Sequence, residues 1–434
     1  MANRNLTYRS HPATRALAAI GVGAIVIAGS RLLLDLFGPS IPYSMSESAF
    51  ALDSKEFVQF LSVVTGGTIR CSRITRLKNG AEFYPAELVA IRRAKHAINI
   101  EFYEFEEGRI TGEVLSALAE RAAAGVEVRL IVDAIGSVST RSSYFDGLRK
   151  AGGQMRWYHP IRWNTWPMVN NRTHRKLIVI DGETGFMGGA GVADHWLYAT
   201  AKEPVWRDSV FCVEGEAVAG MISTFSENWL EASGEILCGA AQFAFRSLPE
   251  GAESLVVSST PHGGGTQARI LFHVLIKSAR KTIRITTPYF LPDRSARHAL
   301  IEAVRDRGVQ VQILTAGPRI DHPLVRKLSH RSVHHLLEAG ANIYEYQPSM
   351  IHAKTMTVDR QWSVIGSTNF DHRSFALNDE VNLATLDPSL AEVLDADLAE
   401  DLKQSRELTL SMLRERTIVG QAESLVGEAI QSES

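Results

Sequence analysis

One eight-residue pattern, His-x-Lys-x-x-x-x-Asp, occurs twice in this chain: His174, Lys176 and Asp181 in HRKLIVID, and His352, Lys354 and Asp359 in HAKTMTVD. At about one chance in twenty per fixed position, a chain of this length carries roughly 0.05 copies by accident, so two copies point to a duplication. Each copy is a β-rich run closing on Asp and soon followed by GGAG (188–191) or GSTN (366–369). Upstream, LRKAGGQMRWYHP (148–160) matches LLEAGANIYEYQP (336–348), and AAGVEVRLIVD pairs with DRGVQVQILTA.

The matched segments alternate helix and strand. Gly125, Gly152, Gly308 and Gly340 each stand where a helix would end in a left-handed residue, and an alternating or β-rich run follows each. Residues 97–105 and 282–290 read as the first strand of each unit. Strands alternating with helices predict an α/β fold with a largely parallel, or mixed, sheet flanked by helices. The 178 residues from His174 to His352 suit a domain-sized half rather than a short solenoid repeat. The expectation is two pseudo-symmetric lobes, 57–245 and 246–434, with the boundary in a turn-rich stretch near 240–265 and helices closing the C-terminus. The GGG at 263–265 lacks the Lys-Ser/Thr of a phosphate loop and reads as a connection.

In an extended strand, side chains two apart share a face, so His174 with Lys176, and His352 with Lys354, each enter one space. The aspartates fall at an odd offset, on the opposite face or at the turn, which gives Asp181 and Asp359 a bracing part in the candidate catalytic set. Two imidazoles and two ammoniums supply a nucleophile, a general acid and two cations for phosphoryl oxygens, enough for phosphodiester chemistry without a metal. A nucleophilic imidazole must be neutral and a proton-donating one charged, so carboxylates are expected to separate the two states. Asp208, 34 residues after His174, and Glu380, 28 residues after His352, stand at similar offsets. The bland alternative for each is an ion pair, with Arg207 or Arg373. Ser367, Asn369 and Ser374 offer neutral donors to a phosphate in the second half, whereas the first half has Gly191 in place of Asn369. Tyr103 and Tyr289, at the ends of the first strands, read as packing, with lining of the substrate site as the alternative. The other histidines show no spacing to Cys or acid that matches a metal site, so neither metal nor cofactor is expected.

On these residues the chain resembles the phospholipase D superfamily, whose hallmark is a pair of HxKxxxxD motifs, and within it the bacterial cardiolipin synthases. The likeness covers roughly residues 56–434 and includes NRTHRKLIVIDGETGFMGG, PVWRDSVFCVEG, TPYFLPD, IHAKTMTVD and IGSTNFDHRSFALNDEVN. The resemblance implies a bilobal fold with the motifs meeting at the interface, and a ping-pong reaction through a phosphohistidine. It implies His174 as nucleophile, His352 as general acid, Lys176 and Lys354 holding the phosphate, and Asn369 assisting. It also implies a phosphatidyltransferase that joins two phosphatidylglycerol molecules into cardiolipin and releases glycerol. With water as acceptor the enzyme would be a phospholipase D yielding phosphatidic acid. A nuclease, or a lipid-binding protein with a retired site, are further alternatives, and the intact motifs speak against the last.

A net charge of −2 gives no basic footprint, so lipid ranks above nucleic acid as partner. Cys71, Cys212 and Cys238 are scattered and form no framework. Residues 16–37 follow Arg4, Arg9 and Arg15 and read as a single membrane anchor behind a basic segment, 1–15, with 38–56 as a linker. The span has to run to Phe37 because the fifteen apolar residues from Ala16 to Ser30 reach only about 22 Å as a helix. A cleaved signal peptide is the alternative. The expected location is a bacterial inner membrane. The side of the catalytic part stays open: the basic residues before the span place it outside, whereas synthases of the family often have two spans and a cytoplasmic domain. Trp157, Tyr158, Trp163, Trp166 and Met168, interleaved with Arg156 and Arg162, suit a membrane interface or a loop packed over the lobe interface.

Overall fold

Strands arise where β-branched runs are buried on both sides, and helices where apolar residues recur on one side. In the computed structural model, which describes residues 42–46, 50–160, 170–201, 203–245, 247–260 and 266–413, the first half runs α1 (Lys55–Thr65), β1 (Ile69–Lys78), α2 (Gly80–Arg93), β2 (Ala97–Phe102), α3 (Arg109–Ala123), β3 (Glu127–Asp133), α4 (Asp146–Lys150), β4 (Gln154–Tyr158), β5 (Arg172–Thr173), β6 (Lys176–Ile180), β7 (Thr184–Gly188), β8 (Ser209–Gly215) and α5 (Val218–Ser233). The second half repeats the plan: β9 (Ala252–Ser259), α6 (Gln267–Ser278), β10 (Thr282–Thr286), β11 (Phe290–Leu291), α7 (Arg294–Arg305), β12 (Gln310–Ala316), α8 (Pro323–Ala339), β13 (Asn342–Tyr346), β14 (Thr355–Val358), β15 (Trp362–Gly366), β16 (Phe370–Asp371), α9 (His372–Ala376), β17 (Asn378–Leu386), α10 (Pro388–Leu402) and β18 (Ser405–Glu407). The expected anchor at 16–37, and Arg162, Trp163, Trp166 and Met168, lie outside the described residues. Among the described residues no helix is long and apolar enough to cross a membrane.

Most strands join in one mixed sheet, ordered β18-β13-β12-β10-β14-β15-β17-β9-β1-β8-β7-β6-β2-β3-β4, with β5 beside β17, and β11 and β16 form a separate pair. The order repeats outward from the antiparallel pair β1·β9: β8-β7-β6-β2-β3-β4 on one side answers β17-β15-β14-β10-β12-β13 on the other. The expectation of a largely parallel sheet is corrected. Along this order parallel pairing occurs within β2·β3·β4 and β10·β12·β13, the strands between are antiparallel, and β5 adds a parallel pair to β17, so the sheet is mixed. The reason is local. Asp181 and Gly182 take φ of 53° and 67°, and Asp359 and Arg360 take 53° and 57°, so each motif strand turns straight back as a hairpin. Helix ends follow the sequence more closely: Gly125, Gly152, Gly308 and Gly340 have φ of 90°, 97°, 65° and 100°.

Alternate residues of β6 enter two different cores. Ile178 and Ile180 pack with α2 and α3 through Leu88, Ile91, Val114 and Leu118, whereas Leu177 and Val179 pack with Met221, Phe225 and Trp229 of α5. Each such buried side chain contributes about 1.5–3 kcal/mol relative to exposure. The α5 core also takes in Ile365, Val381, Leu383, Leu390 and Leu394, so it is shared between the halves. At the start of the chain, Phe57, Val58 and Leu61 of α1 join the second-half core, where the Trp362 indole N–H donates to the Leu52 carbonyl at 2.7 Å. α10 occupies part of the stretch expected to be helical at the C-terminus, and 414–434 lie outside the described residues.

Candidate active site

Both motifs are held by the opposite half. β5 pairs in parallel with the start of β17, so the His174 amide donates to the Asp379 carbonyl at 2.9 Å and the next residue, Glu380, faces the imidazole. His174 Nδ1 lies 3.0 Å from Glu380 Oε1. On the other side, Arg207 bridges Ile351, the His352 amide donates to the Arg207 carbonyl at 2.7 Å, and His352 Nδ1 lies 3.0 Å from Asp208 Oδ2. The carboxylates are therefore exchanged. Similar sequence offsets pair Asp208 with His174 and Glu380 with His352, but strand pairing places each against the other histidine. Neither is a surface ion pair: both are fully buried, Arg207 pairs with Asp401 at 2.9 Å, and Arg373 donates to the Asn170 carbonyl. Asp208 also accepts the Trp196 indole N–H at 3.0 Å and the Ser209 amide at 2.7 Å, while Ser367 donates to Glu380.

Lys176 Nζ donates to the His174 carbonyl at 2.7 Å and Lys354 Nζ to the His352 carbonyl at 2.6 Å. Burial lowers Lys176 to about 7, assisted by the positive charge of Lys354, and burial likewise lowers Lys354 to about 8 against the pull of Asp208. Burial brings His174 down to about 4 despite Glu380, and brings His352 to about 3 with Lys354 adding to the effect. Burial works to raise Asp208 and Glu380, yet their bonded histidines hold both below the ordinary carboxylate range. Both imidazoles are thus neutral near pH 7, and the expected separation of their states is not built into the protein alone. A phosphate anion among the four bases would raise them together. With each Nδ1–H engaged by a carboxylate, each Nε2 is left to attack or to carry a proton.

The motif aspartates stand apart from this chemistry. Asp181 accepts the amides of Lys95, His96 and Ala97 at 2.8–2.9 Å, and Asp359 those of Arg280, Lys281 and Thr282 at 2.7–2.8 Å. Each fixes the entry of the first strand of its half through these amides. Asn369 is buried, and its Oδ1 has no partner among the described residues. The Ser374 amide caps α9 by donating to Asp371, and its hydroxyl is also unpartnered among those residues. Gly191 stands where a Cβ would lie 2.6 Å from the Glu104 carbonyl, so an asparagine has no room there.

Tyr103, read chiefly as packing, stands at the site, and sequence reasoning missed several further neighbours. The Tyr103 ring meets His174 edge-on at 5.2 Å and lies 5.4 Å from Lys176 Nζ. Trp196 and Trp206 flank His352 at 5.7 and 5.6 Å. Glu104, Glu106 and His195 bring three ligand-capable atoms within 4.8 Å of one another. The only signal for Glu104 was its place at the end of the first strand, beside Tyr103.

Comparison with known proteins picks out the same frame. A family model described as cardiolipin synthase, PLD-like domain, matches residues 88–203 and 273–402, which hold both motifs. Cardiolipin synthase 1 of Bacillus cereus is 35% identical over 366 residues, covering 81% of this chain and 71% of that one. The chain belongs to the cardiolipin synthase family. A Bacillus anthracis cardiolipin synthase 1 is 34% identical over 91% of this chain and 77% of its own, and a Listeria monocytogenes cardiolipin synthase 32% over 83% and 75%. Membership makes the protein an enzyme of the phospholipase D-like phosphatidyltransferase type. The fold is also that of a phosphatidylserine synthase from Haemophilus influenzae Rd KW20, with a TM-score of 0.61 at 15% identity over 85% of this chain and 99% of that one. A polyphosphate kinase from Porphyromonas gingivalis shares it with a TM-score of 0.53 at 12% identity, over 86% and 52%.

Proposed function

We propose that this member of the cardiolipin synthase family transfers a phosphatidyl group through a phosphohistidine, joining two phosphatidylglycerol molecules into cardiolipin with release of glycerol. The observation that carries the reading is the pair of buried histidines, each with its Nδ1 on a carboxylate of the other half and a lysine two residues on. His174 Nε2 attacks phosphorus, the bond to the departing glycerol oxygen breaks, and His352, which takes up a proton when the substrate's phosphate anion enters the site, delivers that proton to the oxygen. The hydroxyl of the second phosphatidylglycerol then attacks, its proton passes to His352, and the P–N bond to His174 breaks. Lys176, Lys354 and Asn369 hold the non-bridging oxygens. Glu380, supported by Ser367, orients His174, and Asp208 orients His352. His174 and His352 are only 7% and 6% exposed, which favours transfer over attack by bulk water.

In this reading the duplicated lobes, 57–245 and 246–434, each lend a histidine and the carboxylate that the other needs. Residues 16–37 would keep the enzyme at a bacterial inner membrane, where both substrates reside. The test is mass spectrometry of lipids after incubating the purified protein with phosphatidylglycerol vesicles, with the His174→Ala/His352→Ala double variant as control. Cardiolipin plus glycerol, absent in the variant, is the expected result. Phosphatidic acid alone would make the enzyme a hydrolase, and no turnover would overturn the choice of phosphatidylglycerol.

A further inference from the structure

The duplication is matched at the reacting groups and broken beside them. β2 and β10 share a register against their motif strands, Ile98 opposite Ile180 and Ile283 opposite Val358, so Glu104 stands where the second half has Tyr289. The same frame places Gly191 where the second half has Asn369, since Phe105 bridges Val192 as Phe290 pairs with Phe370. The two changes touch. A Cβ at 191 would lie 2.6 Å from the Glu104 carbonyl and 3.0 Å from its Cβ. The first half therefore presents a carboxyl beside the reacting groups where the second presents a phenol and an amide.

That carboxyl is within electrostatic reach of both Lys176 and Lys354, yet each lysine donates to its own histidine's carbonyl. Facing it at 3.4 Å is His195 Nε2, which burial keeps uncharged near neutral pH and which forms no hydrogen bond among the described residues. His195 is packed against Trp206, and Trp206 against His352, so the Glu104–His195 pair borders the general-acid side of the site. Burial, with Glu106 alongside, pushes Glu104 up to about 8, so near neutral pH it is a carboxylic acid that both donates and accepts. The two lysine charges beside it work against a divalent cation at the same place.

We propose that Glu104, backed by His195, holds one hydroxyl of a vicinal diol while the neighbouring hydroxyl attacks phosphorus, so that the site selects a polyol acceptor over water or a simple alcohol. This rests on the phosphatidyltransferase reading above. In the step concerned, the acceptor O–H bond breaks as its oxygen bonds to phosphorus, the P–N bond to His174 breaks, and the proton goes to His352. Glu104 takes no net proton. Water has no second hydroxyl to anchor, and a mono-alcohol has none either.

The experiment uses the full chain in phosphatidylglycerol vesicles with 1,2-propanediol and 1-propanol as competing soluble acceptors, for wild type, E104L and E104Q. Trapped phosphoenzyme is measured in parallel. In E104L the preference for the diol should fall about tenfold, the worth of one hydrogen bond in a buried site, while phosphoenzyme still forms. E104Q, which keeps a donor and an acceptor, should retain most of the preference. An unchanged preference in E104L would overturn the proposal, as would loss of phosphoenzyme in both variants, which would place Glu104 in the first step or in the fold. Wild type that forms no phosphoenzyme would sink the parent reading instead.

Discussion

Glu380→Gln and Asp208→Asn should slow phosphoenzyme formation for different reasons, the first by weakening attack and the second by weakening protonation of the leaving group, each through the histidine of the opposite motif. Glu380 is fully buried and takes the Nδ1 proton of His174 at 3.0 Å. The glutamine exchanges a charge-assisted hydrogen bond, worth roughly 1.5–3 kcal/mol, for a neutral one of about 0.5–1.5. A loss of about 1–2 kcal/mol slows attack on phosphorus about 5- to 30-fold. Should the new amide turn its NH2 toward the ring, the tautomer inverts, and the loss approaches the roughly 10⁴-fold effect of the corresponding change in a serine-protease triad. The assay is rapid-quench measurement of phosphoenzyme with two donors, phosphatidylglycerol and a phosphatidyl nitrophenol whose leaving group departs without a proton. Glu380→Gln should be slow with both donors, because the nucleophile is impaired. Asp208→Asn should recover with the nitrophenol, because the proton from His352 is no longer needed. Recovery of Glu380→Gln but not Asp208→Asn would refute the crossed assignment, since that is the pattern same-half pairing requires.

Three further outcomes follow from the same geometry. Inhibition by tungstate, a phosphate mimic, should be strongest below pH 7 and weaken steadily toward pH 9, because Lys176 and Lys354 lose their protons near 7 and 8; inhibition independent of pH would remove the lysines from the anion site. Asp359→Ala strips the acceptor from three backbone amides that are partly open to solvent and should cost about 1–2 kcal/mol in denaturant unfolding. The fraction that remains folded should still form phosphoenzyme. Gly191→Asn, which would make the first half resemble the second, should lower stability by about 1–3 kcal/mol because its Cβ meets the Glu104 backbone at 2.6 Å; a thermal melt checks this, and an unchanged transition would show that the β2 exit yields easily.

The two HxK pairs, the repeat and the left-handed helix ends were legible because they depend on residues close together in the chain. Strand direction was not. Counting helices between strands suggested crossovers everywhere, yet the short connections after Ile180 and Val358 bend through left-handed aspartates; Asp181-Gly182 is a hairpin signal that went unread, and Asp359-Arg360 carries none. The aspartates themselves show why: the three amides bound by Asp181 belong to residues 84 to 86 positions earlier. Asp208 and Glu380 were found as residues but their partners were not, because offset along the chain carries no knowledge that β5 pairs with β17. Glu104 left only one mark, a charged residue at the end of a strand whose other members are buried.

The exchange of carboxylates has a consequence for the order in which the protein becomes competent. Glu380 is synthesised 206 residues after the histidine it orients, so a ribosome-bound chain with its first half complete carries a histidine with no partner to fix its tautomer. The second motif gains its carboxylate only by docking back onto β8. Each histidine therefore gains its orienting carboxylate only when the two halves close on one another.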